Sequence, residues 1–97
     1  MSMVSWKVTD RWGNEIMLTE ERWHHITFWH PELEGRLGQV LDIIQRGRRR
    51  QEPLDPSKCR YYRRTDVLLP DYDHIVVIVK LALNRFVLTA YPVFIGR

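Results

Sequence analysis

The most continuous apolar stretch of the chain runs from Ile75 to Pro92, near the carboxyl end. Its first part, Ile75 to Val79, consists only of β-branched residues, which are stiff at χ1 and suit a strand buried on both faces of a sheet. Its last part, Phe86 to Pro92, alternates between two sets of side chains, as a strand with two different faces does. The pattern predicts a hairpin at the centre of a sheet, around which the rest of the chain packs.

The predicted turn of this hairpin lies at Asn84-Arg85. A two-residue turn at that point sets Lys80 opposite Thr89 and Ile78 opposite Tyr91. One ammonium group and two hydroxyl groups would then lie together on one face of an otherwise apolar sheet. This cluster is the first candidate for a functional site.

Two short strands are predicted near the amino terminus, Ser5 to Thr9 and Glu15 to Leu18. Gly13-Asn14 between them can take the positive φ angles of a tight turn, so the strands should form a hairpin. Thr19 then fits an N-cap, and two glutamates follow it where the helix dipole favours negative charge. We expect a helix from Glu20 to about Trp29.

A second helix is predicted to begin at Pro31, because proline ends the preceding helix at His30 and suits the first turn of the next. Gly47 marks its end as a C′ residue. Its apolar residues recur at helical spacing and form one stripe: Leu33, Leu37, Val40, Leu41 and Ile44. This stripe needs a sheet face to cover.

The segment between the second helix and the central hairpin has a less regular pattern. We expect Arg48 to Arg50 to be a solvated run, and residues 51–58 to be a loop because they contain two prolines. Cys59 to Thr65 has the character of a strand. Asp66 to Asp73 is interpreted as a hairpin connection, loosely paired at Val67 to Leu69.

Aromatic and basic residues interleave along the Cys59 to Thr65 strand. One face carries Arg60, Tyr62 and Arg64, and the other carries Cys59, Tyr61 and Arg63. A register slip of one residue exchanges the two faces, so the sequence leaves open which set reaches a binding groove.

This order of elements predicts one α+β domain over residues 1–97, with two amino-terminal helices packed on one face of a twisted antiparallel sheet. The predicted core face carries Phe86, Leu88 and Ala90 with Val77, Val79 and Leu81. The other face, with Lys80, Thr89, Tyr91 and one register of the Arg60 to Arg64 strand, should form an open, positively charged groove. A histidine of the first helix is expected within reach of its edge.

The charge of the chain adds a class of partner to this picture. The net charge is only +3, but twelve of the fifteen cations are arginine, whose planar fork matches phosphate bidentately. A nucleic acid or another phosphate-bearing partner therefore gains weight, beside the alternative of a solvated surface with a high pI. A single cysteine, no apolar run of membrane-spanning length and no signal peptide lead us to expect a cytoplasmic protein without membrane contact.

Three histidines fall within seven residues of the first helix, at His24, His25 and His30. Their spacing on a helix keeps the imidazoles apart, so we expect neither a metal site nor another cofactor. A histidine beside cations and hydroxyls is what metal-free RNA cleavage requires, since it needs proton transfer and charge stabilisation at the phosphate. His24 fits a surface position better, and His30 could instead cap the helix end.

Two motifs give the sequence a resemblance to a known family. The helix stretch LTEERWHHITFWHPELEG and the closing strand motif T-A-Y-P are similar to those of the barnase/EndoU/colicin/RelE-like nuclease superfamily, in its small phage and bacterial branch. The resemblance covers roughly Ile16 to Pro92 in element order. One departure is Trp29, since the residue before the H-P-E histidine is often basic in this pattern.

The resemblance implies a RelE/barnase-like fold, metal-independent endoribonuclease activity and, in many relatives, a toxin role with a small antitoxin protein as partner. The implied catalytic residues are His25, His30, Lys80, Thr89 and Tyr91. The resemblance matches Arg63 or Arg64 to the basic strand residue, and Tyr62 joins them as a substrate-binding candidate because it lies on the same basic-aromatic strand. We take Arg63 as the basic residue that reaches the groove, with the other two as alternatives.

A second hypothesis uses the same strand without catalysis. Stacking on aromatic side chains and contacts with phosphate require no acid–base pair. The chain could therefore be a non-catalytic module that binds RNA or a protein partner. In that case, substitutions at Arg63 and Tyr62 should matter more than substitutions at His25 and Lys80.

Overall fold

The computed structural model describes residues 4–65, 71–82 and 84–96, and the pairing predicted at Val67 to Leu69 lies outside these residues. The strands are β1 (Ser5–Thr9), β2 (Glu15–Thr19), β3 (Arg48–Glu52), β4 (Asp55–Arg64), β5 (His74–Lys80) and β6 (Phe86–Val93). The helices are α1 (Glu20–Trp29) and α2 (Leu37–Arg46), separated by a short 3₁₀ helix (Pro31–Leu33). The predicted α+β class is confirmed.

The described strands form one sheet in the order β1-β2-β6-β5-β4-β3. Neighbouring strands are antiparallel except for β2 and β6, which run parallel and pair at Met17 and Phe86. The prediction of an antiparallel sheet is therefore wrong at this pair. Parallel neighbours need a long crossover connection, and both helices and three strands lie between β2 and β6 in the chain.

Helix α1 has the predicted bounds and the predicted N-cap. The hydroxyl of Thr19 accepts a hydrogen bond from the backbone nitrogen of Arg22 at 3.1 Å. The start predicted for the second helix, at Pro31, is wrong, since α2 begins only at Leu37. Gly35 has a φ of 77°, a left-handed conformation that separates the 3₁₀ helix from α2.

Helix α2 ends before Gly47, as predicted, but this glycine has an extended conformation with a φ of −74°. Glycine is required at this position because a side chain has no room there. A Cβ atom at Gly47 would overlap the carbonyl oxygen of Ile43 and lie 2.8 Å from the carbonyl oxygen of Tyr62. The missing side chain lets the end of α2 lie directly against β4.

Residues 51–58, predicted as a loop, belong to the β3–β4 hairpin, so that prediction is wrong. Arg48 to Arg50 form the rest of β3, and Arg48 and Arg50 are exposed, which agrees with a solvated run. Glu52 lies opposite Asp55, which leaves Pro53-Leu54 as the turn. The register shifts between Gln51 and Glu52, and Pro56 falls within the irregular part that follows. Both prolines thus lie where no regular ladder hydrogen bond is lost, which is why they do not prevent a strand.

Strands β5 and β6 form the predicted hairpin in a different register. Residues 81–85 connect them, so Lys80 lies opposite Phe86 and not Thr89. A β-bulge after Ile78 then places Ile78 opposite Thr89 and not Tyr91. Both predicted pairs are wrong. The Asn84-Arg85 turn fails because the carbonyl oxygen of Arg85 accepts a hydrogen bond from the Met17 nitrogen at 3.0 Å, which holds this residue against β2.

The core lies between the two helices and one face of the sheet. Val77, Val79 and Ala90 are fully buried in it, as predicted, and Leu81 packs at its margin. Phe86 and Leu88 are only half-buried, which corrects their predicted place in the core. The bulge adds an extra residue to β6 and turns Val87 inward in their place.

Within the described residues, neither helix is long and apolar enough to cross a membrane.

Candidate nucleic-acid interface

The face of the sheet turned away from the helices, here called the open face, carries the basic and aromatic residues of β4. Cys59 and Tyr61 point into the core, so Arg60 and Tyr62 point to the open face. Arg63 lies on the helix side, where its guanidinium is 2.6 Å from the Asp42 carboxylate of α2. The expectation that Arg63 reaches the open groove is therefore wrong, and Arg60 with Tyr62 takes that place.

Two tyrosines flank a valine across the middle of the open face. Tyr62 of β4 and Tyr91 of β6 both pair with Val76 of β5. Val76 is only 4% exposed although it lies outside the main core, because the two rings stand on either side of it. With strands about 4.8 Å apart, the rings stand about 10 Å from each other.

These tyrosines belong to a depression of about 390 Å³, here called the tyrosine depression. It is lined by Arg50, Arg60, Tyr62, Val76, Tyr91, Val93 and Ile95. Its floor is apolar, while two arginines stand at one side. Such a surface can stack a flat base and hold a phosphate next to it.

His30 lies beside this face, at the end of α1. Its ring centroid is 6.1 Å from that of Tyr91. The contact is possible because β2 pairs with β6 only at Met17 and Phe86, and α1 with the 3₁₀ helix packs along the rest of that edge of β6. The expectation that a histidine of α1 approaches the open face therefore agrees with the geometry.

The other predicted catalytic residues are more scattered. His25 is exposed, and its ring contacts Trp29 at 6.5 Å between centroids. Lys80 and Thr89 share the open face, but Thr89 pairs with Ile78 and Lys80 with Phe86, so they are two residue pairs apart and the bulge lies between them. The structure thus brings His30 and Tyr91 into contact, leaves Lys80 and Thr89 further along the same face, and separates His25 from the group.

A second depression of about 430 Å³, here called the arginine depression, lies where the end of α2 meets the sheet. It is lined by Arg11, Arg46, Gly47, Arg48, Tyr62, Arg63, Arg64, His74 and Gly96. Arg63 and Arg64, both predicted as substrate-binding residues, lie here. Tyr62 lines both depressions, so the two adjoin at this residue.

Asp73 and His74 were not predicted as site residues. The Nδ1 atom of His74 lies 2.8 Å from a carboxylate oxygen of Asp73, so Nδ1 is the atom that donates a hydrogen bond to this carboxylate. The sequence contains one signal for this pair, since an acid and a histidine stand directly before the β-branched run. Asp73 is also the last residue of the segment interpreted as a hairpin connection, which gives the pair no predicted role.

The Asp73 carboxylate also holds the carboxyl-terminal segment against the start of β5. It accepts hydrogen bonds from the backbone nitrogens of Ile95 and Gly96, both at 2.8 Å. Hydrogen bonding to His74, together with these two bonds, lowers the pKa of Asp73 to about 2. This carboxylate therefore stays charged and keeps His74 in place at the edge of the arginine depression.

A buried carboxylate connects the β1–β2 turn to β3 and β4. The side chain of Asp10 accepts a hydrogen bond from the Tyr61 hydroxyl at 2.5 Å and lies 3.4 Å from the Arg49 guanidinium. It also accepts bonds from the backbone nitrogens of Trp12 and Asn14, at 2.9 and 2.8 Å. Arg49 lies over the Trp12 ring, 4.1 Å from its centroid.

These contacts determine the charge states of the buried pair. Burial raises the pKa of Asp10, but hydrogen bonds from Tyr61, Asn14 and Trp12 outweigh it, so the pKa is lowered overall. Burial, together with the bond to Asp10, raises the pKa of Tyr61 well above its ordinary value. Asp10 is thus an anion and Tyr61 a neutral donor, which fixes the turn across the core face of the sheet.

No model of a known protein family matches this chain, and no curated protein and no solved structure matches it either.

Proposed function

We propose that this protein is a metal-independent endoribonuclease that binds single-stranded RNA on the open face of its sheet. The observation that carries the proposal is the contact of His30 with Tyr91, at the edge of a depression that Arg60 and Tyr62 also line. A proton-transfer group, a hydroxyl and a guanidinium thereby border one surface with an apolar floor. The resemblance of the helix and T-A-Y-P motifs to RelE/barnase-like nucleases supports the same reaction.

In the proposed reaction the 2′-hydroxyl oxygen of a ribose attacks the adjacent phosphorus, and the bond from phosphorus to the 5′-oxygen breaks. His30 takes the proton of the 2′-hydroxyl, and Tyr91 donates a proton to the leaving 5′-oxygen. Arg60 offsets the negative charge that develops on the phosphate oxygens. Tyr62 stacks with a neighbouring base. The products are a 2′,3′-cyclic phosphate and a free 5′-hydroxyl.

The experiment compares His30→Ala with His24→Ala, because both histidines belong to the α1 region and His24 is exposed. Wild-type protein in EDTA should leave 2′,3′-cyclic phosphate ends on single-stranded RNA. His30→Ala should lower the cleavage rate by about a hundredfold or more, the usual contribution of an acid–base group, while RNA binding is kept. His24→Ala should cleave as wild type does. Equal rates for both variants would contradict the assignment of His30.

The same cleavage experiment includes the variant His25→Ala, because the resemblance assigns a catalytic role to this exposed residue. Under the proposal, His25→Ala reduces cleavage much less than His30→Ala does. A large loss with His25→Ala and none with His30→Ala would show that the acid–base residue lies on the outer side of α1 and that Tyr91 is not its partner.

A non-catalytic RNA-binding module is the second candidate, and the tyrosine depression favours it. Tyr62 and Tyr91 stand on either side of Val76, an arrangement that suits stacking of bases and needs no proton transfer. In that case Tyr62→Ala and Arg60→Ala abolish binding, and intact RNA is recovered from every incubation. Measuring binding and cleavage on the same samples separates the two functions.

A toxin role with a small antitoxin partner is part of the proposal and rests mainly on the resemblance. Large apolar side chains on the outer side of α1 support a protein partner, since Phe28 is 75% and Trp29 64% exposed and their rings contact each other. Expression of the protein alone should arrest growth, and co-expression of the neighbouring open reading frame should relieve the arrest. Growth without arrest, from protein shown to cleave RNA in vitro, would contradict the toxin role.

A further inference from the structure

We propose that the arginine depression is a second phosphate-binding subsite, which takes a phosphate group of the RNA strand away from the reacting phosphodiester. The inference rests on the proposed function, because it assumes that RNA lies on the open face. Substrates that are long enough to reach past Tyr62 into this depression should therefore bind more tightly than short ones. The sheet would thus select for strand length without reading bases.

The fold builds this depression from five separate parts of the chain, and its arginines come from three of them. Gly47 brings the end of α2 against β4, as a Cβ atom at this position would meet backbone on both sides. Arg48 follows directly and lies opposite Tyr62 in the β3–β4 ladder. Arg11 arrives from the β1–β2 turn, which the buried Asp10 carboxylate holds in place through Trp12 and Tyr61. The arginines therefore converge through tertiary structure and not through one basic run.

The charges in the depression do not cancel. Asp42 lies 3.1 Å from Arg46 and 2.6 Å from Arg63, so one carboxylate serves two guanidinium groups. Asp73 lies 3.6 Å from Arg64 and also accepts a hydrogen bond from the Nδ1 atom of His74.

Two arginines of the depression have no such partner. In the described part of the chain, neither Arg11 nor Arg48 forms an ion pair. Arg11 lies over the Trp12 ring at 5.4 Å, and Arg48 is exposed. The depression therefore keeps an excess of positive charge, and its planar donors match phosphate oxygens.

A single strand can pass from one depression to the other. Tyr62 lines both, so a base stacked on its ring has one flanking phosphate near Arg60 and the next near Arg48. The phosphate in the subsite could be an internal phosphodiester or the terminal phosphate of the strand. Both present the same oxygens to the arginines, and strands with and without a terminal phosphate distinguish them.

The experiment uses the double variant Arg11→Gln/Arg48→Gln, because removal of these side chains leaves no carboxylate unpaired. Arg85→Gln is the matched control, an exposed arginine at the other end of β6. Affinity for a labelled oligonucleotide is measured over a range of salt concentrations, and cleavage of a dinucleotide with one phosphodiester is measured alongside. Circular dichroism and thermal unfolding establish that each variant is folded.

The double variant should bind the oligonucleotide less tightly, by about two- to fivefold for each arginine at moderate salt. The slope of log affinity against log salt should fall by about 0.7 for each lost phosphate contact. Dinucleotide cleavage and the Arg85→Gln control should stay as in wild type. If the double variant loses affinity only for the oligonucleotide that has a terminal phosphate, the terminal phosphate is the ligand. If it loses affinity for oligonucleotides with and without a terminal phosphate, an internal phosphodiester is the ligand.

An unchanged salt slope in the folded double variant would overturn the subsite, and so would an equal loss for the dinucleotide and the longer strand. Either result would leave the proposed function intact, provided that wild-type protein binds and cleaves RNA. Wild-type protein that binds no RNA would overturn both proposals together.

Discussion

Replacement of the buried Asp10 by asparagine should be strongly destabilising. Oδ1 can still accept from the backbone nitrogens of Trp12 and Asn14. The amide that replaces Oδ2 can accept from none of its three present donors, which are the Tyr61 hydroxyl, the Arg49 guanidinium and the Asn14 side-chain amide. A hydrogen bond to a charged group contributes about 1.5–3 kcal/mol, and three such bonds are lost. The Asn14 amide keeps its contact with Oδ1 at 3.3 Å. The Tyr61 hydroxyl can turn and accept from the new amide, and Arg49 can reach water. We therefore expect a loss of about 2–4 kcal/mol.

For a domain of this size the loss corresponds to a fall in the melting temperature of about 8 °C or more. The assay is thermal and urea unfolding at neutral pH, with Asp71→Asn as control, because Asp71 is exposed and its change should stay within about 0.5 kcal/mol. A double-mutant cycle with Tyr61→Phe should give a coupling free energy of about 1–3 kcal/mol.

The difference between wild type and Asp10→Asn should also depend on pH. The pKa of Asp10 is lowered in the folded state from an ordinary value of 3.8, so its stabilising contribution is present above that value and is lost as the pH falls below it. The two proteins should therefore become more similar in acid. A loss below about 1 kcal/mol at neutral pH, or a difference that grows in acid, would refute this reasoning.

Three further predictions concern single positions. Gly47→Ala should destabilise the fold by about 1–3 kcal/mol in urea unfolding, because the new methyl group meets the backbone of α2 and β4; wild-type stability would contradict this. Asp73→Asn should remove the part of the acid-induced loss of stability that lies between pH 3.8 and about 2, since the pKa of Asp73 is lowered over that range; an unchanged acid profile would contradict it. Arg63→Ala should weaken RNA binding less than Arg60→Ala in an anisotropy titration, because Arg63 faces α2.

Local patterns predicted the elements that local physics controls. The N-cap at Thr19, the turn at Gly13 and the β-branched β5 all follow from side chains acting on their own backbone. Tyr91 and Thr89 lie on the open face, as predicted, because the side chains of β6 alternate regularly between the two faces after the bulge. The bulge itself gave no sequence signal, and it moved Val87 into the core in place of Leu88.

The site was predicted less completely, because its parts meet only through tertiary structure. The register of β4 places Arg60 on the open face and Arg63 on the helix side, and one residue of slip would reverse this. Arg11 and Arg48 lie far apart in the chain and converge only once the β1–β2 turn is fixed. The sequence pattern does not predict His74 as a site residue, because its role depends on Asp73 and on the basic side chains around it. Hydrophobic periodicity carries no information about such a group of polar side chains.

The most direct test of the central claim is cleavage of one mixed-sequence RNA, in EDTA, compared with DNA of the same sequence. If the 2′-hydroxyl is the nucleophile, the RNA is cut to products with 2′,3′-cyclic phosphate and 5′-hydroxyl ends, the DNA stays intact, and His30→Ala reduces the cutting by about a hundredfold or more. Cleavage of the DNA, products without the cyclic phosphate, or RNA that remains uncut by folded wild-type protein would contradict the account.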